Sequence, residues 1–346
     1  MAIAAIIDRG PRALALAAAI LTWAVAPAFA QDAEVIYLEG EPELRSSQGT
    51  TQWLDFGSLL RSGDSVVTGT NDYVELEQGA ASTIRVDPDT VFTIREIEQG
   101  GERQTVMSNS VGSVRYRFNR IAGRNEPQIG TSSVVAGIRG TEVTVYAGAD
   151  GSSLFLVESG LVEVSSAGET VELAEAQGVE VAAGQPPGAV FEWLGREIDF
   201  REWNQERSEA YLRDPAPVVD GLGSQLEVFI SGVSEFRNLY DQAAADYQER
   251  FDQFMEMPEG DEKEALRDEL QLEGANTSTL ALNYRYYALS GLSMRRYVLG
   301  RMYMELKTRY ILDRGNPLYQ EFLGEYEAFL ERYESGITPG LVEADI

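Results

Sequence analysis

The hydrophobic rhythm of this 346-residue chain changes once, and that change restricts its folds more than any single residue does. From Glu34 to about Val190 the chain runs in short segments separated by Gly, Asp or Asn. VIYLEG, SVVTG, DYVELEQG, STIRV, VFTIREI, GSVRYRF, EVTVYAG, SLFLVESG and LVEVSS are among them. Several alternate apolar with polar residues, as in Tyr73-Val74-Glu75-Leu76-Glu77, and a period of two sends neighbouring side chains to opposite faces of a strand. Such spacing predicts an all-β unit, either a sandwich, a barrel or a short solenoid. The block Gly184-Gln185-Pro186-Pro187-Gly188 ends it, because adjacent prolines cannot continue a central ladder.

From Ser224 the period becomes helical. Phe229, Val233, Phe236, Tyr240, Ala243, Tyr247 and Phe254 recur at steps of about three and four. Before that point, Phe200, Trp203, Arg207 and Tyr211 predict a short helix whose aromatic face packs back on the β unit. Pro258-Glu259-Gly260 breaks the first long helix; a short charged helix is expected over 261–272, stopped at Gly274, and a long one over 277–313. Gly315-Asn316-Pro317 ends that helix and 319–333 forms the last, with a frayed tail over 337–346. The organisation read from these signals is a leader over 1–30, a β domain over 31–190, a connector over 191–222, an antiparallel helical hairpin or bundle over 223–335, and a flexible tail. The helical half is rich in tyrosine, which suits both half-buried packing and partner surfaces; packing is preferred, and self-association through this half is a further option.

Charge and missing residue types narrow the function. With 56 acidic against 28 basic residues the net charge is -28, which repels nucleic acid and anionic membranes at long range. The chain has no Cys and no His, so disulfides, thiol nucleophiles, imidazole bases and the usual zinc ligands are absent from the sequence. Carboxylate chemistry and oxygen-ligated cations remain. At the N-terminus, Arg9 and Arg12 precede an apolar run over 13–26 and the small-x-small site Ala28-Phe29-Ala30. This reads as a cleavable secretory signal, too short to span a bilayer, and places the mature chain in the periplasm without a membrane span.

Candidate sites are few. Residues 131–143 read TSSVVAGIRGTEV, where a strand is broken at Ala136-Gly137 and resumes at Ile138; Gly137 and Gly140, three apart, predict a bulge, a corner or close backbone approach. Arg139 between them is read as a structural clamp, preferred over a ligand contact, with Glu142 as its partner. Arg115, Arg117, Arg120 and Arg124 form a basic island in an acidic protein. Alternation puts Arg115 and Arg117 on one strand face and Tyr116 and Phe118 on the other. The island either binds an anionic envelope glycan or an acidic partner, or neutralises the protein's own carboxylates, and the internal role is preferred. Asp87-Pro88-Asp89, and Asp72 with Glu75 and Glu77, lack the spacing of a calcium loop and are read as turn-formers and a solvated face.

LRSGDSVVTG (60–69, with Gly63, Asp64 and Gly69), the stretch 75–94, SSVVAGIRGTEVTVY (with Gly137, Arg139, Gly140, Thr141 and Glu142), GLVEVSS opening at Gly160, and AQGVEVAAG follow in that order. The ordered set resembles the FecR domain over about 59–184. The resemblance implies an all-β, partly solenoid-like module that, in the founding regulators, contacts another envelope protein and relays a signal to a sigma factor. The leader stands where those regulators carry an anti-sigma segment and a transmembrane helix, so a free-standing periplasmic member is expected.

The resulting expectation is a non-enzymatic protein with no cofactor and no metal, a scaffold, adaptor or sensor that binds an envelope protein or anionic glycan through Arg115, Arg117, Arg120 and Arg139. The alternatives are a signal-transduction component and a carboxylate-dependent polysaccharide hydrolase, the latter without any spacing that guarantees two opposed carboxyl groups.

Overall fold

The computed structural model describes residues 32–47, 49–78, 82–99, 102–118, 127–193, 198–258 and 260–343. The leader lies outside these. Among the described residues the first half is built of strands β1 (Ala33–Glu39), β2 (Glu43–Arg45), β3 (Thr51–Trp53), β4 (Leu59–Leu60), β5 (Ser65–Val67), β6 (Tyr73–Gln78), β7 (Ser82–Val86), β8 (Val91–Gln99) and β9 (Glu102–Phe118), then β10 (Gln128–Gly130), β11 (Val135–Ala147), β12 (Ser153–Ser166), β13 (Glu169–Leu173), β14 (Gln177–Val181) and β15 (Phe191–Glu192). The second half is helical.

The strands make one hydrogen-bonded network with two arcs, joined because three strands are long enough to serve both. In the first arc β4, β1, β6 and β7 lead to the C-terminal part of β9, then to β11, the start of β12, β14 and β15. In the second, β3, β2, β5 and β8 lead to the N-terminal part of β9, then to β10, the start of β11, the end of β12 and β13. β9 changes arcs at Gly112, whose φ of +107° lies where only glycine is at ease and whose added Cβ would meet Thr90 Cα at 2.5 Å. Side chains from both arcs, including Val74, Leu76, Ile84, Phe92, Met107, Tyr116, Val145 and Phe155, pack into one buried core. The alternation read in β6 holds: Val74, Leu76 and Gln78 point inward while Tyr73, Glu75 and Glu77 are exposed or half-exposed.

The strand break expected at Ala136-Gly137 is absent. β11 runs through Gly137, paired to Glu163, and the irregularity falls at 139–142 opposite Gly160. The cause is close backbone approach: Gly140 and Gly160 both have positive φ, and a Cβ on Gly160 would sit 2.5 Å from the Gly140 carbonyl oxygen.

Helix α1 (Phe200–Arg213) opens with Asp199, whose carboxylate accepts from the Arg201 and Glu202 amides. It packs on the first arc, as its spacing predicts, with Trp203 buried against Tyr146, Leu154 and Leu156. Then follow α2 (Ala216–Glu256), α3 (Asp261–Ser293), a π-helical stretch Met294–Leu299, α4 (Gly300–Arg309), α5 (Pro317–Gly336) and α6 (Thr338–Glu343). The helical pattern begins earlier than Ser224 because Pro215 precedes α2 and Pro217 occupies its first turn, where a missing N–H costs nothing. No break occurs at Gly274. It lies inside α3, where a Cβ would be 3.4 Å from the Tyr247 ring, so its smallness serves contact with α2. The end of the chain is also held down: Ile337 is fully buried and Leu341 nearly so, in the same core as Ala288 of α3.

α2 and α3 run antiparallel, since Phe236 stacks on Tyr287, Tyr240 meets Tyr284, and Arg250 pairs with Glu269 and Glu273. α5 then covers the N-terminal part of α2, with Arg332 near Glu227. No helix among the described residues is long and apolar enough to cross a membrane.

Candidate functional site

The outer face of the first arc carries the basic island, and strand register shows what surrounds it. Tyr37 lies opposite Glu75, Glu75 opposite Arg85, Arg85 opposite Arg115, and Arg115 opposite Thr144. At about 4.8 Å per strand this row crosses five strands over about 19 Å. Beside it, Thr83, Arg117, Glu142 and Ser159 form a second row.

Arg115 and Arg117 project outward and Tyr116 and Phe118 inward, as alternation requires. Arg115 Nε lies 3.2 Å from both Thr144 Oγ1 and Glu158 Oε1, and Thr144 itself donates to that carboxylate at 3.0 Å. Arg117 donates to Glu142 at 2.7 Å, which raises the guanidinium pKa. Arg85 donates to Glu75 at 3.0 Å and stacks over Tyr73, which edges Tyr37. The Tyr73 hydroxyl, followed by Arg85, holds the Glu75 carboxyl below its ordinary range. Glu142 is therefore joined to Arg117, where the sequence suggested Arg139. The Arg139 side chain, Arg120 and Arg124 lie outside the described residues. The backbone of Arg139 is in β11, paired with Leu161.

Two arginines directly opposed on adjacent strands repel. Here Glu75 on one side and Glu158 on the other offset the repulsion, so the island is woven into a ladder of alternating charge. Such exposed pairs contribute little to stability, about 0–1 kcal/mol each, and their donors can be exchanged to an incoming carboxylate at low cost. α1 covers the neighbouring Tyr146 end of this face, where Thr144 is also buried, and leaves Tyr37, Arg85, Arg115 and Arg117 exposed.

The outer face of the second arc is covered at β8 and β9, by α3 and the π-helical stretch. Arg95 of β8 leaves the core side of its strand and enters the last turns of α3, where it is 5% exposed. It donates to Ser290 Oγ at 3.1 Å, Leu289 O at 3.2 Å and Ser293 Oγ at 2.7 Å. No carboxylate pairs with it among the described residues, and its Nε has no partner there. Burial without a counter-charge holds its pKa down to about 10. Arg45 reaches Tyr297 of the π-helical stretch at 3.3 Å, and Arg207 of α1 pairs with Glu180 of β14. Gly184 and Gly221 bring the end of the β half against α2.

The motif residues are structural. Asp64, buried in its turn, accepts from the amides of Ser47 at 3.1 Å and Arg61 at 2.9 Å, next to Gly63 at φ +91°. Gly69 donates to Asp72 at 2.7 Å, Asp72 also accepts from Glu41, and Asp87 accepts from Ser113 at 2.6 Å. Thr141 donates to Leu161 O at 2.9 Å across the Gly140–Gly160 bulge. Among the described residues no group of three or more acidic side chains is placed to hold a metal ion. Sequence reasoning missed Arg85, 30 positions from Arg115, because only register joins them. It missed Arg95 because nothing in VFTIREI marks which arginine a helix will cover.

Comparison with known proteins gives a family and distant structural likenesses. The family model described as FecR protein matches residues 64–163. No curated protein sequence matches. Two solved structures of a Parabacteroides distasonis protein described as a candidate anti-sigma factor, at 1.65 and 2.50 Å resolution, are similar at TM-scores of 0.31 and 0.32 with 12% and 11% identity. Each match covers 37% of this chain and 59% of that one, so the likeness spans less than two thirds of that protein's length. The matched stretch 64–163 runs from the Asp64 turn through the Gly140–Gly160 bulge, and over it the chain is similar to the FecR family.

Proposed function

We propose that this chain is a non-catalytic binding protein of the cell envelope, exported by its leader, in which the FecR domain docks a protein partner on the open face of its first arc. The observation behind the reading is the cluster of Tyr37, Tyr73, Arg85, Arg115 and Arg117 on that outer face. Tyrosine and arginine are the residues that dominate protein interfaces, and here they lie on a rigid, twisted sheet with their charges already balanced. An acidic segment of the partner would displace Glu158 and Glu142 from Arg115 and Arg117. The FecR match supports a role related to signal transduction, with the helical half, joined through Arg95, as the element that responds.

The test is site-specific photocrosslinking in the native envelope from position 83, opposite Arg117, and from position 172 on β13 as a control. Capture of one protein from 83 only, abolished by Arg115→Glu with Arg117→Glu, is the expected result. Equal capture from both positions, or capture indifferent to the charge reversal, would overturn it, and recovery of glycan alone would replace a protein partner with a polysaccharide.

A further inference from the structure

The two ends of the helical half carry opposite charge around exposed apolar side chains, and neither end is covered. Beyond Val233, α2 and α3 continue as a bare two-helix arm: from residue 234 to 269 no described side chain is buried. Across the arm, the antiparallel pairing puts Phe251 level with Leu272, and Met255 follows one turn on. Leu272 is 74% and Met255 64% exposed. Around them the sequence from 234 to 282 holds thirteen acidic and four basic residues.

At the far end, the turn between α4 and α5 projects Ile311 and Leu312, the latter 97% exposed, with Met304 and Leu318 also exposed. Its charged neighbours are Lys307, Arg309 and Arg314 against Asp313, a local excess of cations in a chain of net charge -28. Tyr310 stacks on Tyr319 beneath the turn and fixes its base.

We infer that the cationic α4–α5 turn of one copy docks on the acidic α2–α3 arm of a second copy, giving head-to-tail association. An apolar centre with a charged rim on one side meets an apolar centre with the opposite rim on the other, the arrangement that gives register and partner choice. The two patches cannot meet within one chain. The path from Leu272 to Leu312 is almost wholly helical, and 40 residues at about 1.5 Å each separate them by about 60 Å. The contact is heterologous, so it leaves a free patch at each end and builds open chains or a ring. Long-range repulsion between copies is screened beyond about 8 Å at physiological salt, which leaves the local complementarity to act.

The test is light scattering on purified protein across concentration and salt, with two variants whose changes are confined to exposed side chains. One carries Lys307→Gln, Arg309→Gln and Arg314→Gln; the other carries Asp252→Asn, Glu256→Gln and Asp268→Asn. The wild type should gain mass with concentration and lose it as salt rises, and Leu312→Ser should weaken that gain at unchanged circular dichroism. Each charge variant alone should stay monomeric. Mixed, they retain one intact patch of each kind and should stop at the heterodimer, whereas a contact between like patches would gain nothing on mixing. A wild type that stays monomeric at every concentration and salt, variants that still associate alone, or a mixture that stays monomeric or exceeds two copies would overturn the inference. Binding of the wild-type turn to anionic lipid vesicles with no self-association would assign the turn to a membrane surface instead.

Discussion

Replacing Arg95 tests how the two halves are held together. Three hydrogen bonds from a charged donor contribute about 1.5–3 kcal/mol each, and the guanidinium gives them up only if the halves separate. Against this stands the cost of burying an unpaired cation. A pKa lowered from the ordinary arginine range to about 10 corresponds to about 3 kcal/mol favouring the neutral form. The bonds outweigh the burial, so Arg95→Ala, which loses the bonds and opens a cavity, should destabilise by about 3 kcal/mol. Arg95→Met fills much of the same space and removes the buried charge, so its loss should be nearer 1 kcal/mol, since replacing a buried ionic group by an apolar one of similar volume is often close to neutral. Urea unfolding followed by tryptophan fluorescence measures both. Hydrogen exchange of the α3 amides around 284–293 shows whether the loss falls at the junction, and the same amides should exchange faster in the alanine variant while those of β11 stay protected. Equal losses in the two variants would refute the reasoning, because the lost charge and hydrogen bonds would then account for the whole effect and the filled space for none of it. So would a silent alanine variant.

Two further outcomes follow from the geometry. Gly160→Ala places a methyl group 2.5 Å from the Gly140 carbonyl oxygen at a φ of +87°, so it should cost about 2–4 kcal/mol in thermal or urea unfolding, whereas alanine at Gly137, with nothing within 4 Å, should cost under about 1 kcal/mol. Alkaline titration should unfold the protein as one event: burial raises the Tyr116 hydroxyl pKa, and burial with Glu75 and Glu305 respectively raises those of Tyr73 and Tyr211, all above the ordinary value of 10.0. Above pH 10 the unfolded chain releases these protons first, so it binds fewer than the folded chain and stability falls as pH rises. Arg95 acts in the opposite direction between pH 10 and 12.5 but is one group against three. Tyrosinate absorbance should therefore appear with the loss of circular dichroism; full ionisation in a chain still folded would contradict it.

Where the sequence was informative, a local period or a backbone constraint stood behind it. Val74 and Leu76 against Glu75 and Glu77 announce a strand with one wet face, and no other packing of those residues is as favourable. Asn316 before Pro317 marks the start of α5 because its side chain accepts from the Leu318 amide. Gly140 marks a crowded backbone as expected, but its neighbour in the motif, Gly137, has nothing within 4 Å, and the crowding is with Gly160. Gly274 misled because the same residue type serves a helix stop and a helix contact, and only the nearby Tyr247 ring distinguishes them. The tail misled because Ile337, polar neighbours and all, reads as an ending until Gly291 of α3 leaves it a place to bury.

What the sequence alone determined is local: the two rhythms and where they change, the turn chemistry of Asp64 and Gly63, the FecR pattern, and an acidic chain without thiols or imidazoles. Tertiary structure decided which charges meet. Arg85 joins Arg115 through strand register, Glu142 chooses Arg117, and Arg95 passes from an ordinary strand position to a buried cation because α3 happens to cross it. Such contacts link residues as far apart as 95 and 293, and long-range pairing depends on how whole elements pack, which no window of neighbouring residues encodes.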